Sequence, residues 1–131
     1  MIICVSHNSI DLFADMKLAA ILHNGAACDP MAVTTRQALE MATVRGAEAL
    51  GRDTGSIAPG KIADLILVDF DAPNLTPCHD VAENLVFSAH GSNVVMNMAR
   101  GKVIYQNGAF LTLDLERIRA TVKRYALPRI F

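Results

Sequence analysis

Apolar and polar residues alternate along the chain in ways that divide it into helical and extended stretches. Residues 2–5, Ile-Ile-Cys-Val, form a short apolar run of strand character. Ser9 then stands as a helix N-cap. From residue 10 to residue 23 Ile10, Phe13, Ala14, Ala20 and Ile21 recur at helical spacing, and Leu12, Met16 and Ala19 widen the stripe. A helix apolar over so much of its circumference needs cover on several sides. Asn24–Gly25 is expected to stop it, with Asp29–Pro30 in the following loop.

Thr34 and Gln37 have capping-box spacing, so each satisfies an orphan backbone donor of a second helix. This helix runs through residues 39–50 to a stop at Gly51. Leu39, Ala42, Gly46 and Leu50 share a face, and small Ala42 and Gly46 allow another backbone to approach.

The pattern then changes. Gly55, Pro59 and Gly60 mark a turn, and residues 62–70 read as a buried strand. Residues 71–79, with two prolines, connect it to a short helix within 81–89. Residues 93–99 and 102–105 read as strands broken at Gly101, and Asn107–Gly108 is a two-residue hairpin signal before 109–111. Asp114 caps a last helix with Leu115, Ile118, Val122 and Tyr125 on its inner face. The order is two helices, three or four strands and one helix, with a boundary near residues 51–56. No internal repeat or low-complexity segment interrupts it.

Composition narrows the choices. The chain has 131 residues, fewer than the roughly 200 or more of a complete α/β barrel. With 52% apolar and 19% charged residues it is globular, and a net charge of −1 gives no footing for nucleic acid or an acidic membrane. No apolar run approaches the ~20 residues needed to cross a bilayer, and no signal peptide is expected. Cys4, Cys28 and Cys78 form no CxxC pair and are expected as reduced thiols of a cytoplasmic protein.

Candidate chemistry is sparse. A hydrolytic metal site needs several His, Asp or Glu side chains on one cation, with a position open for water. His7, His23, His79 and His90 have neither HxH nor HExxH spacing. His7, with Asn8 and Asp11, lies in a polar loop between an apolar strand stump and a helix, although such residues also serve as plain helix caps. There is no nucleophile elbow around a serine and no phosphate loop at Gly55–Gly60. Asp64, a charge inside an apolar run, is expected to bond backbone amides of the turn at 60–63 rather than act as a base.

Three segments together resemble the amidohydrolase superfamily, in its cytosine-deaminase-like branch of adenosine-derivative deaminases and triazine hydrolases. They are SHNSIDLFADMKLAAIL (6–22), TTRQALEMATVRGAEALG (34–51), and GSIAPGKIADLILVD (55–69) followed by NVVMNMARGKVIYQNG (93–108). The resemblance implies an α+β chain: the last loop and terminal helices of a truncated (β/α)8 barrel over 1–54, and the C-terminal part of the flanking small β-sandwich over 55–131. It also implies a parent activity, hydrolysis of a non-peptide C–N bond in a ring amine by water activated on a divalent zinc or iron.

In the family an aspartate at the strand end before this loop binds the metal; here the stretch is Met-Ile-Ile-Cys-Val, without an acid. The metal ligands and catalytic acid–base groups are therefore expected outside this chain, which holds no cofactor by itself. Ser6, His7, Asn8 and Asp11 carry over as a substrate-proximal loop, with no catalytic residue and no metal ligand assigned. The partner is expected to be the missing N-terminal barrel part or a second copy of the chain; alternatively the chain is a structural or oligomerisation module.

Overall fold

The computed structural model describes residues 10–130. The first helix, α1, spans Leu12–Ala27. Its N-cap is Asp11, in extended conformation, with Oδ1 accepting from Phe13 N at 3.0 Å. The cap expected at Ser9 lies outside the described residues, and the helix begins two positions after residue 10. Nor does Asn24–Gly25 stop α1, which ends at Cys28 in left-handed conformation, φ 50°. Asparagine breaks helices by competing for nearby backbone groups. Here Asn24 spends that capacity on the following loop, accepting from Val33 N at 2.7 Å and donating to Pro30 O at 3.0 Å.

The second helical stretch is capped by Thr34 and Gln37 in the reciprocal box that their spacing predicts. It is not continuous. Helix α2 covers Thr35–Ala42 and α3 covers Val44–Ala49, with Thr43 between them at φ −117°, ψ −93°. The Thr43 hydroxyl donates to Leu39 O at 2.8 Å. The close backbone approach expected at Ala42 and Gly46 comes at this break, from Gly55. A Cβ on Gly55 would sit 2.7 Å from Thr43 O and 2.9 Å from Val44 Cα.

Four strands follow: β1 (Leu65–Val68), β2 (Val94–Ala99), β3 (Lys102–Gln106) and β4 (Ala109–Phe110). They pair antiparallel in sequence order. Leu65 lies opposite Met98, Asn97 opposite Tyr105, and Tyr105 opposite Phe110. Both tight turns have positive φ at their two central residues, 50° and 77° at Arg100–Gly101 and 46° and 86° at Asn107–Gly108. That is the turn whose twist matches paired strands.

β1 is shorter than the expected 62–70, because polar groups claim both flanks. Asp64 Oδ1 accepts from Arg100 N at 2.8 Å and Oδ2 from Arg52 Nη2 at 3.0 Å. The donors are therefore the β2–β3 turn and an arginine after α3, not the amides of 60–63. At the other end Asp69 accepts from Asp71 N and turns the chain away.

Between β1 and β2 run a 3-10 turn at Pro73–Leu75, α4 (Val81–Glu83) continuing into a π turn at Asn84–Ser88, and a 3-10 turn at Gly91–Asn93. The core joins α1 and α2 to this connection: Phe13, Met16, Ala20 and Ala38 pack with Leu75, Val86 and Ala89. It thus draws on residues before and after the turn at 55.

Helix α5 (Leu115–Thr121) is capped by Asp114 as expected and continues through a π turn into α6 (Leu127–Ile130). Its expected inner face is largely bare. Leu115 is half-buried, but Ile118, Val122 and Tyr125 are 43%, 45% and 51% exposed. Helices followed by an antiparallel sheet make the chain α+β.

Candidate functional site

Of the four loop residues singled out in the sequence, Ser6, His7 and Asn8 lie outside the described residues. Asp11 is the described member, and its carboxylate serves two backbone amides. Oδ1 caps α1 through Phe13 N, and Oδ2 accepts from Gly91 N at 2.9 Å across a sequence separation of 80. A charged acceptor at a helix N-terminus is favourable twice over, through the amide bonds and through the helix dipole. Asp11 therefore ties the start of α1 to the turn before β2.

Asp11→Ala is expected to destabilise the fold by about 1–3 kcal/mol, since a cap and a charge-assisted bond go together. Asp11→Asn, which keeps an acceptor for one amide, should lose less. Urea melts of the two variants check this, and equal loss in both would contradict the two-amide role.

Beside α1 lies an apolar groove of about 610 Å³, lined by Leu12, Phe13 and Met16 of that helix and by Ile57, Leu65 and Ile66. Its charged lining residues are Lys61 and Asp64. Lys61 pairs with Asp53, and Asp64 is held by Arg52 and Arg100 N. With both ionic groups engaged in holding local structure, the groove suits apolar contact more than proton transfer.

Among the described residues, no three His, Cys, Asp or Glu side chains gather closely enough to hold a metal ion. One clear electrostatic shift lies away from the groove, on α3. There the Arg45 guanidinium donates a hydrogen bond to Glu48, and that bond, with the Glu48 charge, raises the guanidinium above its ordinary value.

Sequence reasoning missed one polar cluster. Asn93 is 7% exposed. Its Oδ1 accepts from His90 N at 2.9 Å and Asn74 Nδ2 at 3.0 Å, and its Nδ2 donates to Asn74 Oδ1 at 3.1 Å. Asn74 also donates to Ser88 O at 2.8 Å. The cluster fixes the ends of the β1–β2 connection against each other. Its one signal in the sequence is a pair of asparagines 19 residues apart, a spacing with no local meaning.

The sequence pattern of the amidohydrolase family matches residues 4–104. The chain is 47% identical over 115 residues to a 5′-deoxyadenosine deaminase of Methanosarcina mazei, a match that spans 88% of this chain and 27% of the relative. It is 45% identical over 121 residues to a 5-methylthioadenosine/S-adenosylhomocysteine deaminase of Moorella thermoacetica, across 91% of this chain and 28% of the relative. An adenosine deaminase of Xanthomonas campestris, crystallised with bound zinc, overlays 97% of this chain at TM-score 0.90 and 33% identity. The overlay takes up 29% of that structure. An atrazine chlorohydrolase of Arthrobacter aurescens, also with zinc, overlays 85% of the chain at TM-score 0.77 and 32% identity. The chain thus spans little more than a quarter of the length of these relatives.

Proposed function

This chain belongs to the amidohydrolase family, and we propose on that footing that it forms the C-terminal part of a deaminase acting on the ring amine of an adenosine-like purine. The observation that carries the reading is the joint match to adenosine-derivative deaminases, 47% identity over 88% of the chain and a TM-score of 0.90 over 97%. In this reading residues 1–54 supply the last loop and helices of the barrel and residues 55–131 the sandwich side, two regions that share one core.

The zinc of the related structures finds no ligand set among the described residues. We read the chain's own contribution as positional. Asp11 fixes the start of α1, the helix that follows Ser6, His7 and Asn8 in the sequence. The Asp64 clamp holds β1 against the β2–β3 turn, and the core locks the helices to the sheet. Preorganised support of this kind sets how well a site holds its substrate.

A chimera tests the reading. Residues 10–130 replace their counterparts in the M. mazei deaminase, which keeps its own upstream residues. The chimera should release ammonia from 5′-deoxyadenosine with kcat/KM within about tenfold of the parent. The 131-residue chain alone, with added zinc, should release none. A folded, zinc-loaded chimera with no deaminase activity would overturn the reading. Ammonia release by the isolated chain would overturn the positional role.

A further inference from the structure

We propose that the C-terminal helix of this chain docks on the β1–β2 connection of a second copy, so that two chains pair reciprocally about a two-fold axis. Both surfaces lie within this chain, so the pairing stands apart from the deaminase reading above.

The helical stretch from α5 to α6 buries little of itself. Of residues 115–129 only Leu115 and Ala126 are half-buried, and the rest are exposed. Leu115, Ile118, Val122 and Tyr125 recur at intervals of three and four, which gathers them on one face. Helices in proteins owe most of their stability to the packing of such a face, and this one lacks that packing within its own chain. The charges of the helix are nearly all of one sign. Arg117, Arg119, Lys123, Arg124 and Arg129 stand against Glu116, which pairs with Arg119 at 3.2 Å. The complement of this helix is a surface both acidic and partly apolar.

The β1–β2 connection has that character. From residue 62 to residue 99 the chain holds no Lys or Arg. Asp69, Asp71, Asp80 and Glu83 are all exposed there, with Pro73, Pro77 and Val81 exposed among them. The surface is also preformed. Thr76 Oγ1 donates to Phe70 O at 3.3 Å and Asn84 Nδ2 donates to Leu75 O at 2.7 Å, which folds the connection onto itself.

Charge selects the pairing. Among the described residues no ion pair joins the helix to the connection of its own chain. Pairing helix with helix in a dimer would set basic against basic. Helix on connection sets opposite signs together, and a two-fold axis makes that contact twice. The apolar face then supplies affinity while the charges fix partner and register.

Light scattering of the 131-residue chain should read a dimer at micromolar concentration. Its dissociation constant should rise about tenfold or more between about 50 mM and about 500 mM salt, as the charges are screened. Two variants identify the surfaces. R117E/K123E/R124E alters the helix. D71K/E83K alters the connection and spares Asp69 and Asp80, which hold backbone amides. Each variant alone should dimerise at least about tenfold more weakly than the unaltered chain. In their equimolar mixture one contact is unaltered and the other sets new glutamates toward new lysines, so a heterodimer should form more tightly than either variant pairs with itself. A monomeric unaltered chain overturns the proposal, as does a dimer indifferent to salt. Undiminished dimerisation of D71K/E83K overturns it in favour of helix-on-helix pairing. A mixture no tighter than its components also overturns it. Should a variant fail to fold, the salt series on the unaltered chain still decides.

Discussion

Gly55→Ala is expected to destabilise this protein by about 3 kcal/mol or more, from two costs that add. The first is conformational. Gly55 has φ +87°, where an L side chain is strained by about 1–2 kcal/mol. The second is steric. The added Cβ would meet Thr43 O at 2.7 Å, Thr43 C at 2.8 Å and Val44 Cα at 2.9 Å. All three are backbone atoms, so no rotamer change relieves the contact, and overpacking of this kind costs a further ~1–3 kcal/mol. Gly60→Ala separates the two terms. Gly60 has φ +85° with nothing within 4 Å of its Cβ position, so it should show the conformational cost alone. Urea denaturation of both variants gives the comparison, and equal midpoints would remove the steric term.

Asn93→Leu should cost about 2–4 kcal/mol although the leucine is similar in size and better suited to burial. The loss is polar. Asn93 side-chain atoms take part in three hydrogen bonds, with His90 N and twice with Asn74. Without Asn93 those partners face an apolar group at a site with little water. Asn74→Ala should cost less on its own, because its partner Asn93 would keep the bond from His90 N. The double variant should cost less than the two single losses summed, by about 1 kcal/mol of coupling. Additive losses in a double-mutant cycle would show that the two asparagines do not act as a unit.

These positions mark where the sequence was legible and where it was not. Short-range signals translated directly. The Thr34–Gln37 box, the Asn107–Gly108 turn and the Asp114 cap each involve partners within a few residues, and each forms as its spacing predicts. Signals decided by distant partners were misread. Asn24 looks like a helix stop until Val33 supplies its bonds. The run of residues 39–50 reads as one helix until Gly55 packs against its middle. Asp64 was legible as a structural carboxylate, but its donors lie on Arg52 and Arg100, 12 and 36 positions away. Within the candidate site, Asp11 was identifiable as a polar residue at a helix start. Its second role was not, because nothing near it in the chain indicates Gly91.

The 80-residue span between Asp11 and Gly91 also bears on how quickly the protein folds. Helix α1 shares its core contacts with residues that lie far along the chain, Leu75, Val86 and Ala89. Closing a loop of that length costs chain entropy before any of those contacts is made. The strands β2 to β4, joined by two tight turns, need no such closure and are positioned to form early. α1 then docks late, so the slow step of folding is expected at that docking and not within the sheet.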